Sequence, residues 1–382
     1  MKGDALVAFH RIEQLAHRHE ISLISFYGSS DELEYISSLE EACSSVSLVR
    51  LPVWRGVANV VLRAPVSRTP LQVLYYRSGS LADSVRELAG LRRFDVVHAF
   101  MLRMAPYARL VDAPAILEAI DSMQLRMERN VHVERPPRRW LYREELRRLA
   151  PYESRVGARF EEVVVSSRED ARRFPRASVH VVPNGVDTET FSPAPGLEES
   201  ATIVFSGTMS YPPNVRAASW FAEECFERIR AHVPGASLLI AGKAPVRQVR
   251  QLGEREGITV TGFVDSMPEM LRRARVAVAP MLSGAGIQNK VLEAMACGLP
   301  VVATTFGAAA IDAAPGRDLI VADGADAFAD AVVGLLLDSA RARQVGANAR
   351  AVVLERHGWD RSAAAIEGLY ESLSAAPRML DP

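Results

Sequence analysis

Lys290 and Glu293 stand three residues apart in the run Gly284-Ala285-Gly286-Ile287-Gln288-Asn289-Lys290-Val291-Leu292-Glu293-Ala294-Met295-Ala296-Cys297-Gly298-Leu299-Pro300. On a helix that spacing points both side chains along one side. Ile287, Val291, Ala294 and Met295 fall on another, apolar face. The preceding Val276-Ala277-Val278-Ala279-Pro280 reads as a buried strand, and the glycines between open a loop. Gly298 supplies a helix stop and Pro300 begins the next strand. The run is thus a β–loop–α–β unit whose helix start lies at the carboxyl end of a sheet, where free N–H groups suit a phosphate. Lys290 would add a compact cation there, and Glu293 an acceptor for sugar hydroxyls. Gly284, Gly286 and Asn289 belong to the same loop and helix start. The same residues also read as a packing helix with a solvated Lys–Glu pair.

Lysine is scarce: Lys2, Lys243 and Lys290 are the only three among 45 basic residues. Against an arginine background, each lysine marks a place that needs a flexible point charge rather than a planar fork. Lys243 and Lys290 both fall at predicted strand-to-helix turns of one domain, where a diphosphate would lie. With 382 residues, 48% apolar and 24% charged, the chain can fill two cores of ordinary size. The net charge of -1 makes no general electrostatic case for nucleic acid or membrane. Cys43, Cys225 and Cys297 lack metal-ligand spacing and read as buried free thiols of a reducing cytosol. No stretch reaches spanning length and none reads as a signal peptide, so a cytoplasmic chain is expected.

The elements that must position these residues alternate strand and helix, which predicts an α/β architecture of two doubly wound domains. In the first half, strands are predicted at 21–26, 46–51, 94–100, 115–120, 163–167 and 179–183. A helix opens the chain after Met1-Lys2-Gly3-Asp4, another covers about residues 80–92, and a loose, Arg-bearing segment precedes Pro70. Asn184-Gly185 marks a turn, followed by a linker through Ser192-Pro193-Ala194-Pro195-Gly196. The second half has strands beginning at Ile203, Ser237, Thr259, Val276, Val301 and Leu319, and a last helix near 359–373. Gly207, after the first of these, would let a ligand approach the backbone closely. Asp121 ends the 115–120 strand, where a carboxylate could receive a proton or steady positive charge, or cap the next helix.

The Lys290 segment resembles the donor-site signature of family 4 glycosyltransferases, whose two glutamates eight apart precede Ala-Met-Ala-x-Gly-x-Pro-Val-Val-Ala-Thr. Glu293 matches the second, which in that family holds the ribose hydroxyls of a nucleotide-sugar. Ala285 stands where the first would be, and Gly-Ala-Gly-x-x-x-Lys-Val-Leu-Glu-Ala-Met-Ala is closer to an exopolysaccharide-associated branch. Pro183-Asn184-Gly185-Val186-Asp187, with Phe191, looks like the family's interdomain hinge.

The resemblance implies a GT-B fold: an acceptor-side domain over 1–190, a donor domain over 197–358, and a helix in 359–382 crossing back to the first, the two domains facing across a cleft. It implies retaining transfer of a sugar from a nucleotide diphosphate donor to a hydroxyl of a saccharide or lipid-linked acceptor. The nucleotide-sugar is a co-substrate, and no cofactor or metal is expected. Lys243 and Lys290 take the diphosphate, because the Arg and Lys usual just beyond Gly207 do not appear there. Phe263 and Val264 inherit contact with the base, and Asp121 stands where many members place a histidine beside the donor sugar. Gly3 and His98 fall on the acceptor side, though a lone histidine at a strand end is more often a packing or hydrogen-bonding residue. Lys-Gly-Asp follows a first strand in the family. Here that strand is missing, which would leave neighbouring strands with unpaired groups at about 1–3 kcal/mol each and implies that the true start lies upstream or that the chain is truncated, with a rearranged sheet as the alternative.

Between Arg126 and Arg148, eight arginines face four glutamates, with Trp140 and Tyr142 interleaved. The stretch reads as a solvated helix laced with Glu–Arg pairs or as a patch for peripheral contact with anionic lipid at the inner face of the plasma membrane. It lacks a nucleic-acid module. A nucleotide-sugar epimerase of the same architecture, a non-catalytic nucleotide-sugar binder and a purely structural protein remain as alternatives.

Overall fold

A computed structural model describes residues 3–28, 33, 36–193, 201–283 and 286–375. The chain divides into two compact units, Met1–Pro183 with Trp359–Pro382, and Asn184–Gly358.

In the first unit, β1 (Ser22–Tyr27) and β2 (Ser45–Arg50) form a parallel pair. β3 (Val97–Phe100), β4 (Ala115–Ile120), β5 (Glu162–Val165) and β6 (Val179–Val181) form a separate four-stranded parallel sheet in that order. Where one doubly wound sheet was expected, the described residues make two. The Gly3–Ala16 helix and the Trp359–Ala375 helix lie together in this unit. Leu15, Ala363 and Ile366 share a core with Ile116 of β4, Val164 of β5 and Val182.

Every residue of β4 is buried, and the run is apolar save for Glu118. A lone carboxylate there would carry a large desolvation cost. The guanidinium of Arg11 and Nε2 of His98, the latter 3.0 Å away, meet it. Arg11 also donates to Ser362 Oγ at 3.1 Å and to the Val182 carbonyl at 3.2 Å.

The segment before Pro70, expected to be loose, contains a helix over Val53–Arg63, and the 70–76 stretch contains a short helix, Leu71–Tyr75. Its β-branched residues give no strong helix propensity. What fixes it is packing of the polar, small-residue side: a Cβ at Gly56 would stand 2.4 Å from the Tyr75 ring, and Asn59 Nδ2 donates to the Arg77 carbonyl at 2.8 Å.

The second unit holds β7 (Thr202–Ser206), β8 (Ser237–Ala241), β9 (Ile258–Gly262), β10 (Val276–Ala279), β11 (Val301–Ala303) and β12 (Ile320–Val321). They form one parallel sheet in the order β12-β11-β10-β7-β8-β9. Alternate residues feed opposite faces: Ile203, Phe205, Val276 and Val278 join one core, and Val204, Ala277 and Ala279 the other. Burial on both faces explains why these strands read as unbroken apolar runs. The order of strands reverses between β7 and β10, and in doubly wound sheets the carboxyl ends at such a point form the ligand site.

Cys43, Cys225 and Cys297 are buried and free. Among the described residues no helix is long and apolar enough to cross a membrane.

Candidate functional site

The switch point carries Lys290. It occupies the second position of the helix Asn289–Ala296, which follows β10, and no side chain caps that helix. Its Nζ donates to Asn214 Oδ1 at 2.5 Å, sits 4.9 Å from the centroid of the Phe205 ring and lies 3.6 Å from Met281 Sδ. Asn214 is itself held, its Nδ2 donating to the Thr208 carbonyl at 3.0 Å. A Cβ at Gly207 would stand 2.7 Å from Asn214 Nδ2 and 3.4 Å from Lys290 Cε. Lys290 is therefore laid across the glycine that ends β7.

Gly207 has φ +152° and Gly242, at the end of β8, φ +145°. A Cβ at Gly242 would come within 1.8 Å of the Gly207 carbonyl oxygen. The two turns thus approach as only glycine permits, and leave the β7 turn with backbone beside an ammonium group. Gly207→Ala is expected to cost about 1–3 kcal/mol by overpacking and to weaken binding of an anion at this site roughly tenfold by displacing Lys290. Urea denaturation read beside calorimetry measures both.

Burial lowers the Lys290 pKa from 10.5 to about 8, with the Glu293 charge opposing the shift. Burial likewise raises that of Glu293 from 4.5 to about 7, against the pull of Lys290. Both groups are charged at a cost. No anionic side chain meets the Lys290 ammonium among the described residues, and such a cation is a receptor for an anion brought from outside.

Lys243 follows Gly242 at the carboxyl end of β8, half-buried, and its side chain makes no hydrogen bond or ion pair among the described residues. Gly262, at the end of β9, has φ +70°, and Phe263 beyond it is 72% exposed with Val264 half-buried. Gly286 has φ +71°, whereas Gly284 and Ala285 lie outside the described residues. Asn289 accepts at Oδ1 from Asn184 Nδ2 at 3.0 Å. A cavity of about 490 Å³, lined by Trp220, Met281, Thr304, Phe306 and Asp323 among others, opens at the ends of β10, β11 and β12.

Sequence reasoning missed Asn214, Asn184 and Arg216. Arg216 Nη2 donates to Ser283 Oγ in the loop after β10 at 2.9 Å, so a guanidinium does stand in this unit beyond Gly207. The one signal for Asn214 was a polar residue two places after Pro212, in the first turn of a helix. For Asn184 it was the Asn-Gly turn itself.

Asp121, Gly3 and His98 belong to the first unit. Asp121 follows Ile120, which adopts φ +60° just past a shift in the β4–β5 register, and it accepts from Ser166 Oγ at 3.0 Å. Burial first, then the charges of Asp170 and Asp4, raise its pKa to about 7. Its carboxyl is thus poised to exchange a proton near neutrality. Asp4 follows Gly3 in the first turn of the opening helix. His98 is turned into the Arg11–Glu118 network: Nδ1 lies 2.6 Å from the Tyr370 hydroxyl and Nε2 faces Glu118. Burial, with the Arg11 charge adding to it, lowers the His98 pKa to about 3. It is a neutral ring held through Nδ1, with Nε2 beside the Glu118 carboxylate.

Residues 200–338 match the family model described as Glycosyl transferases group 1. A phosphatidyl-myo-inositol mannosyltransferase of Mycolicibacterium smegmatis is 31% identical over 240 residues, 60% of this chain and 60% of that one. A D-inositol 3-phosphate glycosyltransferase of Xylanimonas cellulosilytica is 30% identical over 247 residues, 57% and 58% of the two chains. The matched part thus spans a little over half the length of these curated relatives. Among solved structures, Anabaena HepE in complex with UDP superposes with a TM-score of 0.69 at 15% identity, covering 97% of this chain and 96% of that one. Sucrose-phosphate synthase of Thermosynechococcus elongatus gives 0.63 at 16%, covering 93% and 99%. At such identities the structural likeness carries the fold alone. Residues 200–338 thus carry a Glycosyl transferases group 1 domain, within a chain that has the GT-B fold.

Proposed function

We propose that the protein transfers a sugar, with retention of anomeric configuration, from a nucleotide diphosphate donor to a hydroxyl of a saccharide or lipid-linked acceptor in cell-surface glycoconjugate or exopolysaccharide synthesis. One observation carries this reading: Lys290 Nζ is held by Asn214 over Gly207 at the switch point, with no anionic side chain on its ammonium among the described residues. As the bond from the anomeric carbon to the diphosphate oxygen lengthens, negative charge grows on the leaving group. Lys290, the uncapped helix start and, from the β8 turn, Lys243 stabilise that charge most when it is fully developed, which is the condition for speeding the step. In this reading the lysines neutralise the diphosphate in place of a divalent metal.

Glu293 accepts from the ribose hydroxyls, Phe263 and Val264 lie against the base, and Asp121 stands by the reacting sugar to take a hydroxyl proton. The names of the curated relatives, a phosphatidyl-inositol mannosyltransferase among them, favour a glycoconjugate acceptor. The reaction is placed in the cytoplasm, with peripheral contact through Arg126–Arg148 at the inner face of the membrane.

The pKa shifts fix the sign of a pH test. A bound diphosphate favours the ammonium form, so it raises the Lys290 pKa above about 8. Binding then takes up a proton above that pH and weakens by up to roughly tenfold per unit. Ribose hydroxyls favour the Glu293 carboxylate, lowering its pKa below about 7, so binding releases a proton below that pH. Calorimetry with UDP, GDP and ADP in buffers of different ionisation heat is expected to show strongest affinity between these two values. Glu293→Gln removes the Glu293 part of the acid limb and, because the Glu293 charge holds the Lys290 pKa up, moves the alkaline limb to lower pH. A flat profile for every nucleotide would remove the assignment, and turnover of a nucleotide-sugar without acceptor would favour an epimerase.

A further inference from the structure

The Val53–Arg63 helix is built inside out. Its small and polar side faces the protein: Gly56 lies against Tyr75 and Asn59 donates to the Tyr75 and Arg77 carbonyls. Its outward side is apolar, with Val53, Trp54, Val57, Val61 and Leu62 exposed, Trp54 by 71% and Leu62 by 75%. A helix at rest in water turns such a stripe inward. Exposed apolar stripes rimmed by polar groups mark contact surfaces.

The charge around this stripe has one sign. Between residues 42 and 82 there are five arginines and neither an aspartate nor a glutamate. Arg55, Arg63 and Arg68 are exposed and make no hydrogen bond or ion pair among the described residues. The stripe is also rigidly mounted. Arg148 donates to the carbonyls of Ala64, Ser67 and Thr69 at 3.0, 2.8 and 3.2 Å, and Glu145 accepts from the N–H groups of Leu71 and Gln72 at 2.6 and 3.2 Å. Both anchors belong to the Arg138–Gly157 helix, which exposes Trp140 and Leu141 one to two turns earlier.

We propose that the Val53–Arg63 helix is an interfacial anchor lying in the surface of an anionic bilayer. Its valines, Leu62 and Trp54 enter the boundary between headgroups and acyl chains, and Arg55, Arg63 and Arg68 pair with lipid phosphates. Eleven residues extend about 16 Å, too short to span a membrane and suited to lying in its plane. Unbalanced positive charge selects anionic lipid over an ordinary protein surface. A tryptophan at the end of the stripe sits where indole rings concentrate at membrane interfaces. The inference extends the membrane part of the proposed function, and its test contains neither donor nor acceptor, so its failure leaves the transfer reading standing.

The test is sedimentation of the full chain with extruded vesicles of phosphatidylcholine alone or with about 30% phosphatidylglycerol, at about 150 mM salt. Binding is expected only to the anionic vesicles, with a blue shift of emission that Trp54→Phe reduces. Val57→Asp with Val61→Asp should lower partitioning at least roughly tenfold, while melting temperature and nucleoside diphosphate affinity stay unchanged because both side chains are exposed. Arg55→Gln with Arg63→Gln should weaken binding and flatten its salt dependence. The proposal falls if wild-type protein does not pellet with anionic vesicles, or if the double aspartate variant pellets equally. It also falls if the same variant instead dissolves a dimer of the chain that ignores vesicles, since the stripe would then be covered by a second copy.

Discussion

Lys290→Ala is expected to slow sugar transfer by about 10²–10³-fold and to weaken nucleoside diphosphate binding by about 30-fold, the worth of one charge-assisted contact. Folding stability at neutral pH should move by no more than about 1 kcal/mol, for two opposed reasons. Lowering the Lys290 pKa from 10.5 to about 8 means that its charged form is destabilised by about 3 kcal/mol in the folded protein. Removing the side chain lifts that cost. Against it, Asn214 Oδ1 loses its donor, at about 1–3 kcal/mol, and Glu293 loses the charge that draws its pKa down.

The sign is set by linkage. The penalty on wild type is fully present below about pH 8 and fades as pH rises toward the unfolded value of 10.5. Above that, the variant should be the less stable of the two. Urea denaturation at neutral and alkaline pH, read beside turnover, separates the roles. A variant that loses stability in step with activity would make Lys290 a packing residue.

The lysine was legible because it sits in a local pattern. A buried strand, a glycine loop and a helix with a fixed apolar face are set by neighbours within about ten residues, and those constraints are all in the string. Lys243 and Gly207 follow from the same logic, as residues at the ends of apolar runs. What holds Lys290 in place was not legible. Asn214 is 76 residues away in sequence, and Asn184, which fixes Asn289, is 105 away. Their meeting depends on β7 and β10 becoming neighbours, a property of strand order rather than of any window.

The Val53–Arg63 helix shows the complementary failure. Its valines sit at helical spacing, yet the stripe they form faces outward. The partner that orders the helix is a tyrosine ring beneath Gly56, and a glycine within a valine-rich run reads as a break. Splitting of the first unit's sheet was legible only in part: the missing first strand implied neighbours left unpaired, and among the described residues β1 and β3 are not joined. β1 and β3 each look like ordinary strands, and whether they join depends on what lies between them.

Arg11→Ala is expected to destabilise the first unit by about 3–5 kcal/mol, because it strands Glu118 in the middle of a buried strand. Burial lowers the Arg11 pKa to about 10, with Tyr370 drawing it up, so the guanidinium remains charged at neutral pH. His98 replaces it poorly: burial, the larger cause of its lowered pKa, persists once the Arg11 charge is gone, so protonating the ring to supply a second cation still costs free energy. The orphaned carboxylate must then take up a proton, so the variant should regain part of its stability as pH falls toward about 5. Wild type, with the Arg11 guanidinium on that carboxylate, should not. Arg11→Met with Glu118→Leu removes both charges and should recover most of the loss, as buried ion pairs exchanged for apolar volume commonly do. Denaturant midpoints for the single and double variants at two pH values decide it. If the double variant is no better than Arg11→Ala, then the bonds from Arg11 to Ser362 and Val182, which tie the first helix to the last, matter more than the charge pair.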